Sequence, residues 1–280
     1  PTAKPRANDI HCHHSKTHAQ HQPARPKHRP VEFERAFQHA QRRNIEDNAN
    51  AETHFEMIFD EVDDAAVSGG VYSRGKTAVI TIDTLASPRT MTINYGDSNM
   101  SCADGNLRRG KIVVTWTGRY RAIGTIITVT PVNFFQNDFK IDGTKTIENK
   151  GRNSAGNLEW TIGVTNGKVT TPTGEIHTWS SNRTRTWVNG ESTRFILLDD
   201  KYFITGTSTG TNRKGAEYRA EIVSPIVVEL NCKFHITKGT VTLSHTSNPS
   251  KIATVDFGNG TCDNIGTFTV NGVTRTFIKR

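Results

Sequence analysis

From about residue 76 onward the chain alternates short runs of β-branched and aromatic residues with clusters of turn formers. The runs at 78–84, 91–95, 111–117, 125–132, 158–164, 202–207 and 251–257 are bounded by Gly, Asn or Asp, which is the pattern of strands joined by tight connections. Asn166-Gly167, Asn189-Gly190 and Asn271-Gly272 fall between such runs, and Asn-Gly suits two-residue hairpins because both positions need positive φ. No stretch alternates strands with long helices as a parallel sheet requires. The prediction for 71–280 is therefore an antiparallel, hairpin-rich meander or sandwich.

The period changes upstream. Phe33, Ala36, Phe37 and Ala40 recur at helical spacing, as do Phe55, Ile58, Phe59 and Val62, with Glu52, Glu56, Asp60 and Glu61 on other faces. This predicts two amphipathic helices, over 31–43 and 50–66, inside a helical segment 31–70 that ends at Ser68-Gly69-Gly70. Residues 1–30 hold five of the ten prolines and six of the eleven histidines with almost no large apolar side chain, so they form an extended arm without a core.

Composition agrees with a β-rich chain: 34% hydrophobic, with 23 glycines among 280 residues. No segment approaches the roughly 18 consecutive apolar residues of a membrane span, and a chain starting at Pro1 without an apolar leader would be a mature form if exported. The net charge of +8 is zoned. Residues 1–44 carry nine Lys/Arg against three Asp/Glu, residues 45–68 none against eight, and residues 69–280 twenty-six against sixteen. The basic β-region suits anionic partners, an acidic glycan among them, or simply a solvated face.

One strand and turn recurs. Thr92-Ile93-Asn94-Tyr95-Gly96-Asp97, followed by Cys102 and Asp104-Gly105, resembles Thr254-Val255-Asp256-Phe257-Gly258-Asn259, followed by Cys262 and Asp263-Asn264. The four cysteines form no CxxC pair, which disfavours a zinc ribbon or redox motif. Cys232 and Cys262, each closing a strand, are the expected disulfide, and Cys102 is either free or joined to Cys12.

Candidate chemistry is thin. His11, Cys12, His13 and His14 crowd metal-binding side chains, but on an arm with no scaffold to fix their geometry. Gly206-Thr207-Ser208-Thr209-Gly210 has the letters of a hydrolase nucleophile elbow in a strand context that does not suit one. No phosphate-binding loop and no HExxH is present, so no catalytic residue and no cofactor is assigned. Carboxylates at Asp138, Asp142, Glu159, Glu175, Glu217 and Glu221, and phenols at Tyr120, Tyr202 and Tyr218, would have to converge in a cleft for polysaccharide chemistry. Trp116, Trp160, Trp179 and Trp187 either stack sugars or fill the β-core. Arg108-Arg109-Gly110-Lys111 reads as a solvated turn, and no motif for specific nucleic-acid recognition is found.

The strings Leu107-Arg108-Arg109-Gly110-Lys111-Ile112-Val113-Val114-Thr115-Trp116-Thr117-Gly118-Arg119-Tyr120, Phe203-Ile204-Thr205-Gly206-Thr207, Leu230-Asn231-Cys232 and Asp256-Phe257-Gly258-Asn259-Gly260-Thr261-Cys262-Asp263-Asn264 resemble an uncharacterised family of exported, often lipid-anchored, β-rich proteins of Bacteroidota. The resemblance spans residues 45–280. It implies an extracellular or outer-surface location, with a lipid anchor upstream in some members, and no established activity. Members carry a further Cys near Thr77-Ala78 to partner the one at Cys102, and this chain departs from them there. Asp83-Thr84-Leu85 also resembles the short O-glycosylation acceptor of that phylum, with Thr84 as the modified residue. Together these readings predict a non-enzymatic surface or extracellular structural protein that assembles into a homo-oligomer or polymer, with a glycan-binding module or a polysaccharide-active enzyme as alternatives.

Overall fold

The structure, a computed structural model, describes residues 40–67 and 78–279, apart from residues 103, 120, 121, 194, 195, 234, 235 and 271. One helix, α1 (Ala40–Val67), precedes thirteen strands: β1 (Val79–Asp83), β2 (Arg89–Ser101), β3 (Leu107–Trp116), β4 (Ile126–Gln136), β5 (Phe139–Arg152), β6 (Leu158–Thr170), β7 (Ile176–Asn189), β8 (Lys201–Thr211), β9 (Glu217–Glu229), β10 (Ile236–His245), β11 (Asn248–Asn259), β12 (Ile265–Val270) and β13 (Val273–Ile278). They form one sheet in chain order, with every neighbouring pair antiparallel. The meander predicted from the spacing of turn residues is the fold.

α1 is continuous where two helices are predicted. Positions 44–49 contain no Gly or Pro, and their Asn and Asp side chains bond to the sheet instead of competing for the helix backbone. The part of the first predicted helix over 31–39, the Ser68-Gly69-Gly70 stop and the arm lie outside the described residues. Asn44, Asn48, Ala51, Phe55, Ile58, Val62 and Ala65 are buried at alternating spacings of four and three, a stripe that holds one face of a helix inward. Its apolar members join a single core with Ile93, Ile112, Phe134, Ile141, Val169, Tyr218, Leu243, Val255 and Phe268 from across the sheet. Helix and sheet are one packed unit.

The sheet can curl around α1 because it is bulged. The register shifts in each of the nine pairs from β2/β3 to β10/β11, but not in β1/β2, β11/β12 or β12/β13. Each shift adds a local bend and extra right-handed twist. Gly110 shows why glycine is needed there: its φ is +90°, and a Cβ would lie 2.0 Å from the Asn133 carbonyl oxygen. The stretch at 108–111 is thus a bulge within β3 and not a solvated turn; Arg108 is buried by its acidic partners. Asn166-Gly167 is likewise a bulge within β6, with Asn166 at φ +53°, whereas Val270 and Val273 are direct cross-strand partners at the β12–β13 connection, where Gly272 has φ +78°. Gly190 opens a longer connection that packs back on Asp200.

The recurring strand and turn has one physical basis in both places. Gly96 N–H donates to Asn94 Oδ1 (3.0 Å) and Gly258 N–H to Asp256 Oδ1 (2.8 Å), both glycines having positive φ. Asp104 and Asp263 then each accept a backbone N–H two residues on and pair with a buried cation, Arg108 at 2.7 Å and Lys279 at 3.5 Å. Cys262 is bonded to Cys232 (Cα–Cα 5.6 Å), as expected from their strand-closing positions, while Cys102 is buried and free.

Candidate functional site

Most residues singled out for chemistry are dispersed. His11, Cys12, His13, His14 and Tyr120 lie outside the described residues, and among those described no group of three His, Cys, Asp or Glu is placed to hold a metal. Asp138, Asp142, Glu175 and Glu221 each pair with a separate cation, Arg109, Lys140 and Lys168, Lys214 and Arg219 respectively. Glu159 accepts from Thr186 (3.2 Å) and Tyr202 donates to Asp200 (2.9 Å). No two of these carboxylates converge across a described cleft. Ser208 of the elbow-like string is buried in mid-strand and donates to Asn48 (2.8 Å). Thr84 is exposed, next to a turn in which Asp83 accepts from the N–H groups of Leu85 and Ala86.

The tryptophans point inward. Trp179 stacks on Phe55 (5.6 Å) and donates to Asn48 (2.9 Å), and Trp187 packs near Trp160 (6.3 Å) and Tyr202 (5.7 Å). Trp116 is half-buried against the core. A surface depression of about 400 Å³ lies beside Trp187 and Asn189, but its charged walls, Arg152 and Glu191, bond to each other at 2.6 and 2.8 Å.

The concentration of polar chemistry is instead the interface between α1 and the inner sheet face. Glu46, Asp47, Glu52, Glu56 and Glu61 of the acidic stretch meet basic residues of the sheet and its turns across this interface. Three belts follow one another down the helix. In the first, Asn48 receives Trp179 and Ser208, Asn44 receives Asn212 (2.7 Å), and Asp47 takes both the backbone N–H and the Nε of Arg213 (2.8 and 2.9 Å). His177 is buried here, and burial, outweighing the nearby Asp47 charge, pushes its imidazole down. Burial, reinforced by the neighbouring His177, lowers His54 to about 4. Burial and the Asp47 and Glu52 carboxylates push the Tyr218 phenol up.

In the third belt, Glu61 accepts from Tyr95 (2.6 Å) and faces Arg108 (3.3 Å), which also makes two bonds to Asp104 (3.0 and 2.7 Å). Burial works to raise the Asp104 carboxyl, but the bonds from Arg108 hold it well below the usual carboxylate range.

In the middle belt Lys145 and Arg183 have one carboxylate each among the described residues. Lys145 on β5 donates to Glu56 (2.9 Å), and Arg183 on β7 reaches Glu52 (3.3 Å) and Ser208 (3.5 Å) through Nη2. Arg185, two residues on along the same face of β7, lies 5.2 Å from the Trp160 ring and 5.1 Å from the Tyr202 ring. Glu56 exposes 61% of its side chain although protein surrounds it, so it projects into a recess that water can enter. The enclosing protein works to raise its carboxyl, but Lys145, then Arg185 and Arg183, bring it below the ordinary value.

These cations went unnoticed in the sequence, yet a signal for them exists. In β7 the odd positions Trp179, Arg183, Arg185 and Trp187 share one face, so burying the tryptophans buries the arginines with them. No known protein family matches the chain, and it matches neither any curated protein nor any solved structure.

Proposed function

We propose that this protein is a non-enzymatic extracellular structural subunit that associates with further copies of itself through the open edges of its sheet. The observation that carries this reading is the state of β1 and β13. They end the strand order, and Val79, Ile82, Val273 and Ile278 on them are exposed although every inner strand has a covered face. A strand edge with unpaired backbone groups and uncovered apolar side chains is a template for a strand of another chain. The Cys232–Cys262 disulfide suits an oxidising compartment, and no helix among the described residues is long and apolar enough to cross a membrane. The family resemblance points to the same location.

Light scattering with negative-stain microscopy tests the reading. Oligomers or polymers of the full chain should disperse when Ile82, Val273 and Ile278 are replaced by Lys, because edge charges oppose strand pairing. Loss of assembly on removing residues 1–39 alone would assign the contact to the arm. A monomer at all concentrations would refute assembly by either route.

A further inference from the structure

We infer that the recess between α1 and strands β5 to β8 is a binding site for an oxyanion, a carboxylate, sulfate or phosphate group, with Arg183 as its central ligand and Glu56 as the built-in anion that the incoming group displaces.

Charge balance comes first. Lys145 pairs with Glu56 and Arg183 with Glu52, and the Arg185 charge also acts on Glu56. In the belts on either side each arginine meets two carboxylates, Arg213 with Glu46 and Asp47 above, and Arg108 with Glu61 and Asp104 below. Among the described residues Lys145 and Arg183 have one carboxylate each.

The second observation is independent of that balance. The Arg183 side chain is 8% exposed, its contacts to Glu52 and Ser208 are long, and its Nε and Nη1 groups have no hydrogen-bond partner. Leaving buried, charged donors unfilled is unfavourable by more than a neutral group would be, and a guanidinium is shaped to hold an oxyanion through two parallel bonds.

Access is the third. Lys145 is 3% exposed, but the Glu56 carboxylate bonded to it projects into water. An anion entering the recess therefore meets Glu56 first, takes its place on Lys145, and opens the way to Arg183 as Glu56 swings into solvent. Lys145 over Phe59 (4.8 Å) and Arg185 over Trp160 and Tyr202 also rest on aromatic faces, which helps hold these cations in place.

Titration calorimetry of the full chain with sodium sulfate and with sodium glucuronate, each against sodium chloride at equal ionic strength, tests the site. Saturable binding beyond chloride is expected, weakened by about tenfold or more in Arg183→Gln, the loss of one charge-assisted bond. Glu56→Gln should bind about tenfold tighter, because the internal competitor is gone. A purely structural salt-bridge network would not give that gain. Glucuronate bound in preference to sulfate would mark the anion as part of a sugar, and the reverse a free inorganic ion. No saturable binding in either the wild type or Glu56→Gln, or binding that Arg183→Gln leaves unchanged, overturns the inference. If Arg183→Gln does not fold, unchanged or weaker binding by Glu56→Gln overturns it alone.

Discussion

The helix-lined interior and the two outermost strands are made of similar residues and held by different means. Inside, strands β2 to β11 bend at a bulge in every pair and close on α1, and their inward apolar side chains share one core with the helix. At the rim, β1 and β13 pair on one side only among the described residues, without bulges, and leave Val79, Ile82, Val273 and Ile278 exposed. Amphipathic patterning alone does not separate these regions; what separates them is whether the sheet bends back onto the helix. Stability belongs to the interior, and the rim is where the proposed association would form.

The widest gap between the two should appear on deleting apolar side chains. Phe55→Ala removes a fully buried ring stacked on Trp179 and should lower unfolding stability by about 3–5 kcal/mol in urea titration, whereas Ile278→Ala at the rim should stay within about 0.5 kcal/mol. Equal losses would erase the distinction. The disulfide comes next. It ties the β9–β10 connection to the β11–β12 connection over 30 residues, so replacing both Cys232 and Cys262 by Ser should cost about 3–4 kcal/mol, visible as a lowered melting temperature.

Acid should act on the interior. His54 titrates near 4 in the folded chain and near 6.5 when unfolded, so above pH 6.5 both states are neutral and the residue contributes no pH dependence. As pH falls from 6.5 to 4 the unfolded chain takes up a proton that the folded one excludes, and stability should drop by on the order of 3 kcal/mol. His177, also lowered by burial, adds a loss of the same sign. Denaturation curves at pH 7 and pH 4 should therefore differ less in His54→Gln than in the wild type, and an unchanged difference would place the acid sensitivity elsewhere. The smallest stability effect belongs to the rim: Ile82, Val273 and Ile278 changed to Lys should leave the melting temperature nearly unchanged while altering particle mass.

The amino-acid sequence by itself determined the local chemistry of this protein. Period-two runs, glycines at turns, the strand-closing cysteines and a helical acidic stretch each specify a local state through the backbone or the side chain alone, and strands, the Cys232–Cys262 pair and the helical character of 50–66 follow from them. Asn166-Gly167 marks the limit, because the same positive φ that makes a hairpin also makes a bulge, and the choice depends on whether Val169 and Trp179 find a core to enter. Only the tertiary structure decided that the acidic helix lies inside the basic sheet. That packing buries Arg108 and Arg183, residues that read as surface charges along the chain, because carboxylates from α1 can offset part of their desolvation. Arg108 meets two carboxylates and Arg183 only one, with two of its buried nitrogens unpartnered, so a feature absent from any local pattern becomes the candidate site.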